Sequence, residues 1–396
     1  MKKIQLTIYT AFISAAILIS CKKETKITSL TPPAPIDTSS CVTGRGVNSG
    51  TIIPGQYIVA YNSGTVNKGS SASTMLRASQ NVLARNDIAE TQLKQVFGGE
   101  PAGFVVQLSD DEVARLNEDP AIKLVEHDRV ISLGGCFTIA EPRLLTWNIR
   151  RVGYGDGRGK TAWIIDTGID IDHPDLNVDA ARSRSFLPGV TSADDENGHG
   201  THVAGIIGGL NNSIGITGVA SGASLVALRV LDADGKGTVS SIIEALAYVN
   251  TNGAAGDVVN LSLSEDQGTS LTLNQQVINT ASHGIYFAIA AGNDAQPANK
   301  YSPANVNAPN VYTISAIDSL DRFASFSNYG NDVVDFAAPG VHVLSTYSQG
   351  RYGYLSGTSM AAPHVAGLLL LKGRNINTAG TALNDPDGVP DPIAHY

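Results

Sequence analysis

Three cysteines in 396 residues exclude a disulfide scaffold as the main source of stability. Charged residues make up only 16%, the net charge is −9, and no lysine or arginine cluster is present, so no nucleic-acid surface is expected. No apolar run reaches the roughly 20 residues that a membrane-spanning helix needs. Several catalytic signatures are also missing. There is no G-x-S-x-G elbow, no H-E-x-x-H, and only one Asp-Thr-Gly where an aspartic protease would need two. What remains is 42% apolar residues and 41 glycines. That is a globular composition with many tight turns, in a chain long enough for two domains.

The chain divides by texture. Lys2 and Lys3 precede an apolar run from about Ile8 to Ile19, which reads as an export signal. Residues 21–53 are rich in Thr, Ser, Pro and Gly and read as a linker. Residues 54–135 hold alternating segments around QYIVAY (56–61), QLKQVFG (92–98), GFVVQLS (103–109) and IKLVEHDRVI (122–131), with helical spacing over 73–86. Ser109 and Glu112 form a capping box for a second short helix that stops before Pro120. The order β-α-β-β-α-β predicts a small ferredoxin-like α+β domain. From 136 to 396 the apolar runs are nearly continuous: TAWIID (161–166), SLVALRVL (224–231), DVVNLSL (257–263), GIYFAIAA (284–291) and NVYTISAI (310–317). Helical stretches separate them. The expected class is α/β, a doubly wound and mainly parallel sheet whose site lies at the carboxyl ends of its strands. NDPDGVPDPIAHY (384–396) reads as an extended tail without chemistry.

Four residues sit where such a site is expected. Asp166 ends the first strand of this sheet, a costly place for a carboxylate without a partner. His199 opens a Gly-flanked helix start. With His202 it also makes H-x-x-H, but that lacks the glutamate of a metalloprotease. Asn293 follows a strand, where its amide could donate to an oxyanion or merely complete a turn. Ser359 begins the apolar helical run SMAAPHVAG, as a cap or as a nucleophile aimed by the helix start. The order Asp, His, Ser is one of the chain orders of the serine triad.

The blocks DTGID, NGHGTHVAG, AAGND and SGTSMAAPHVAG resemble the signature blocks of the subtilisin-like serine endopeptidases, from Trp147 to about Gly367. Residues 54–133 similarly resemble the inhibitor-type propeptide of that family. The resemblance implies a secreted endopeptidase that removes its own propeptide and hydrolyses proteins or peptides. Asp166, His199 and Ser359 would form the triad, and Asn293 with the Ser359 N–H would hold the oxyanion. Substrate would bind as an added strand between Gly235-Lys236-Gly237 and Ser262-Leu263-Ser264, with Gly292 beside it. Ser264 departs from the usual glycine and bears on P1 preference. Val239, Ile242 and Leu263 would line a roomy apolar S4 pocket for large P4 side chains. The loop 210–218 resembles a calcium loop of the bacterial subtilisins. Its ligands would be the carbonyls of Leu210, Ile214 and Ile216 and the side chains of Asn212 and Asp175, holding a structural Ca²⁺.

Leu18-Ile19-Ser20-Cys21 resembles the lipobox of bacterial lipoproteins, implying a lipid anchor at Cys21 after a signal peptide of residues 1–20. Cutting the propeptide near Gly135 would detach a monomeric catalytic domain from that anchor, unless Cys41 and Cys136 pair. The competing readings are a catalytically silent subtilisin-like domain serving as a binding module, and a metal hydrolase built on His199 and His202.

Overall fold

The computed structural model describes residues 51–66, 70–132, 137–139, 145–263 and 268–396. The export signal, Cys21, most of the linker, Cys41, Cys136 and Ser264 lie outside them.

The first domain has the predicted order. Strand β1 (Ile52–Tyr61) leads to helix α1 (Ala72–Arg85), β2 (Leu93–Phe97), β3 (Gly103–Gln107), α2 (Asp110–Glu118) and β4 (Ile122–Ser132). The strands pair antiparallel in the order β4-β1-β3-β2. Both helix starts are capped, the second by the box already read in the sequence. Ser71 Oγ accepts from Thr74 N–H at 3.2 Å, and Ser109 N–H donates to Glu112 at 2.7 Å. Alternation along β1 sends Tyr57, Val59 and Tyr61 into this domain's own core. Ile58, with Phe97, Val105 and Ile131, faces the opposite way and belongs to the apolar core of the second domain.

In that second domain β5 (Thr161–Asp166), β6 (Ser224–Arg229), β7 (Val258–Leu261), β8 (Tyr286–Ala290), β9 (Val311–Ile317) and β10 (Val334–Pro339) run parallel in the order β10-β9-β8-β7-β5-β6. Both faces are covered, as the continuous apolar runs require. Ala162 and Ile164 pack on the side of α3 (His199–Gly208) and α6 (Thr358–Lys372). Trp163 and Ile165 pack on the side of α4 (Val239–Asn252) and α5 (Leu271–Ser282). The chain leaves β5 toward β6 on one side and later fills β7 on the other. The crevice at this reversal opens at the end of β5, where Asp166 stands.

One expectation fails. The tail is part of the sheet rather than an extended appendage. Pro392–His395 pairs parallel with β10 at Ala337↔Ile393 and antiparallel with Asn377–Thr381. Buried Asp391 accepts from the Ser315 hydroxyl at 2.5 Å. The strand is four residues long and opens on a proline, too short for any periodicity to reveal it.

Candidate active site

Two hydrogen-bonded groups hold the predicted catalytic residues: Asp166 with His199, and Asn293 and Ser359 with Thr358 and Ser262. Asp166 is fully buried at the end of β5, and its Oδ1 and Oδ2 lie 2.8 and 3.0 Å from His199 Nδ1. The Asp166 carboxylate also accepts the N–H of Thr167 at 2.7 Å, which fixes the carboxyl plane. His199 is the first residue of α3, entered through Gly198 at φ +112°, where a Cβ would strike the Tyr347 ring. His202, the other member of H-x-x-H, points elsewhere. Its Nε2 contacts the carbonyls of Val343 and Gly353 at 3.0 and 3.1 Å, and burial pushes its pKa down to about 3. That is a neutral histidine spent on backbone carbonyls, not a partner of His199 in a metal pair.

Ser359 lies in the first turn of α6, which is buried on all sides. Pro363, four residues on, has no N–H, so the Ser359 carbonyl has no helical partner. The Ser262 hydroxyl, beyond β7, takes that place at 2.8 Å. Ser262 in turn accepts from Asn260 Nδ2 at 2.8 Å. Thus the backbone at Ser359 is held by a residue expected only to line the substrate cleft. The Ser359 hydroxyl donates to the Ser262 carbonyl at 3.0 Å.

Asn293 follows β8. Its Oδ1 accepts the Thr358 N–H at 2.8 Å and the Thr358 hydroxyl at 3.0 Å. Because a peptide N–H can only donate, the amide orientation is fixed and Nδ2 is left to serve a ligand. The Gly292 N–H donates to the Thr358 hydroxyl at 3.1 Å, which ties this loop to the start of α6.

The first substrate-binding segment is already occupied. Residues Lys236, Gly237 and Thr238 pair antiparallel with Ser132, Ile131 and Val130 of β4. Ile131 is wholly buried in the same apolar cluster as Val239, Ile242 and Leu263, the residues expected to form S4. Two acidic residues of β4 secure the contact. Glu126 accepts from the Ser270 hydroxyl at 2.6 Å and from the N–H groups of Leu271 and Thr272 at 3.0 and 3.1 Å, capping α5. Asp128, fully buried, accepts from the Ser240 hydroxyl at 2.7 Å at the start of α4, and burial pushes its pKa up. Sequence patterning missed both roles, since the partners are more than 100 positions away. The signal was only a pair of acids at alternate positions of a strand that also carries Lys123, His127 and Arg129.

The five calcium-ligand candidates also converge. Leu210 N–H donates to the Asp175 carbonyl at 3.0 Å. The Asp175 carboxylate is fully buried and accepts from Asn212 Nδ2 at 2.9 Å, Ile216 N–H at 2.8 Å and Tyr352 Oη at 3.3 Å. None of these donors is charged, and burial pushes the carboxyl pKa up to about 6. Asn212 Oδ1 accepts the Ile214 N–H at 2.8 Å. Gly215, at φ +62°, lets the loop close against that carboxylate. A buried carboxylate whose donors are all neutral is a place that a hard cation would suit.

Comparison with known proteins agrees with this geometry. The family model for the subtilase family matches residues 157–380, and that for the I9 peptidase inhibitor matches residues 56–134. An alkaline protease of Alkalihalobacillus alcalophilus is 41% identical over 297 residues, 73% of each chain. An alkaline serine exoprotease A of Vibrio alginolyticus is 35% identical over 332 residues, 81% of this chain and 60% of its own. Among solved structures, a cold-adapted subtilisin-like serine proteinase aligns with a TM-score of 0.56 at 33% identity, over 64% of this chain and 98% of its own.

Proposed function

Since the chain belongs to the subtilase family, and is a serine protease with an I9-type propeptide, we propose that it is an exported endopeptidase that frees itself by self-cleavage. The observation that supports this most directly is Asp166 held on His199 Nδ1 at 2.8 Å, the orienting half of a serine triad. Ser359 Oγ attacks the scissile carbonyl while His199 takes its proton and later returns it to the leaving amine. Asp166 fixes the imidazole tautomer and stabilises the imidazolium. Asn293 Nδ2 and the Ser359 N–H receive the oxyanion. Labelling of Ser359 by a fluorophosphonate, lost in Ser359→Ala, tests the assignment.

The propeptide acts as a product-like inhibitor. With Ile131 taken as P4 from its place among the expected S4 residues, counting on in sequence makes Gly134 the P1 residue and Gly135 the new N-terminus, both outside the described residues. A lipid on Cys21 would then remain with the propeptide, and the catalytic domain would leave the membrane. The grip is expected to be pH-dependent. Glu244 of α4 meets the side chain of Gln95 on β2, and burial pushes its pKa up to about 7. A carboxyl raised by docking favours the docked state at acid pH, below the free carboxyl's range, and that advantage is lost as pH rises through about 7. Asp128 acts with the same sign. Processed enzyme should therefore be progressively less inhibited from about pH 5 to 8, and Glu244→Gln should flatten that dependence. Equal steepness in the variant would remove Glu244 from the account.

Bound Ca²⁺ would supply the positive charge that Asp175 lacks. The carbonyls of Leu210, Ile214 and Ile216 and the Asn212 side chain would complete its shell, locking the loop after α3. EDTA should lower Tm by several degrees, since a ligand at about 100 times its Kd adds roughly 2.7 kcal/mol. Added Ca²⁺ should restore it, and Asp175→Asn should abolish the response. Unfolding indifferent to EDTA would count against the site.

A further inference from the structure

The turn that delivers His199 is built around a second buried carboxylate. Asp195 stands four positions earlier and is 6% exposed. Its Oδ1 accepts the N–H groups of Asn197 and Gly198 at 3.0 and 2.9 Å. Its Oδ2 accepts the N–H and the hydroxyl of Thr201 at 2.9 and 2.6 Å. Thr167, next to Asp166, adds a side-chain hydrogen bond to Asp195, and its hydroxyl accepts the Gly200 N–H at 2.9 Å. The peptide N–H groups on both sides of His199 are thus anchored by Asp195 and Thr167.

Asp195 puts a carboxylate under the turn at which His199 opens α3. Burial pushes its pKa up, while every partner named above donates to it, and three of these are peptide N–H groups that cannot accept. The turn is therefore built for the ionised form. The other charged or titratable groups on the turn are accounted for. Asp166 holds Nδ1, and the Tyr347 hydroxyl donates to the Asn197 carbonyl at 2.8 Å. Arg229 is engaged by Glu196 at 2.7 Å and by the Asp194 carbonyl at 2.8 Å. His202 faces the carbonyls described above.

We propose that Asp195 is a positioning residue for His199: its buried carboxylate fixes the turn that carries the imidazole. The proposal rests on His199 being the general base.

The test uses the full chain after processing, with kcat and KM measured on a peptide amide from about pH 5 to 10. Asp195→Asn should lower kcat about 10–100-fold with KM within about threefold. Thr201→Val keeps the carboxylate but removes a hydroxyl that donates to it and that accepts the Asp170 N–H at 2.9 Å, so kcat should fall several-fold, and Thr201→Ser, which keeps both bonds, should restore it. Wild-type kcat in Asp195→Asn, or a loss confined to KM, would overturn the proposal. If Asp195→Asn does not accumulate folded, Thr201→Val decides. A kcat loss at constant KM supports the proposal, and wild-type kcat overturns it. His199→Ala with wild-type kcat would instead sink the base assignment itself.

Discussion

His199→Ala is expected to lower kcat by about 10⁶-fold with little change in KM; the size is taken from histidine removal in subtilisin, not calculated from this geometry. The physical reason lies in the 2.8 Å contact between Asp166 and His199 Nδ1. That contact fixes the tautomer with its proton on Nδ1 and leaves Nε2 to accept from Ser359. Without the imidazole, the Ser359 hydroxyl keeps its bond to the Ser262 carbonyl and has no base to receive its proton. In the proposed binding mode substrate contacts run through the 235–237 strand and the apolar S4 residues, so ground-state binding should survive. The measurement is steady-state amide hydrolysis, with the propeptide removed by an unrelated protease that can be separately inhibited. A loss below about 10²-fold would mean that another group serves as base.

Asn293→Ala should lower kcat by about 10²–10³-fold, again with KM nearly unchanged; this range is that measured for one oxyanion donor in subtilisin. Thr358 fixes the amide through two bonds to Oδ1, at 2.8 and 3.0 Å, so Nδ2 is oriented before substrate arrives. A donor that needs no reorganisation acts mainly on the charge developing in the transition state. A rise in KM with kcat retained would instead mark Asn293 as a substrate-binding residue.

Much of this was legible before the structure. Continuous apolar runs identified the doubly covered sheet, and Ser109 with Glu112 marked a helix start that forms as expected. The triad residues each end a strand or open a helix, positions that punctuation by glycine betrays. What stayed hidden depends on distant contacts. Ser262 takes the carbonyl that Pro363 frees, 97 positions along the chain. Glu126 caps a helix 145 positions away. Asp195 differs, because its partners are local. Asp194-Asp195-Glu196 looks like a solvated acidic run, and only the fold shows that its middle member is buried. The four residues of the C-terminal strand were likewise too few to carry a pattern.

The most direct test of the account is intact mass and N-terminal sequence for two chains lacking the signal peptide, wild type and Ser359→Ala. The account predicts that wild type loses everything through Gly134 and begins at Gly135, while Ser359→Ala stays full length. Two full-length products would contradict it and favour a silent binding domain under a permanent lid. Two processed products would show that cleavage does not depend on Ser359.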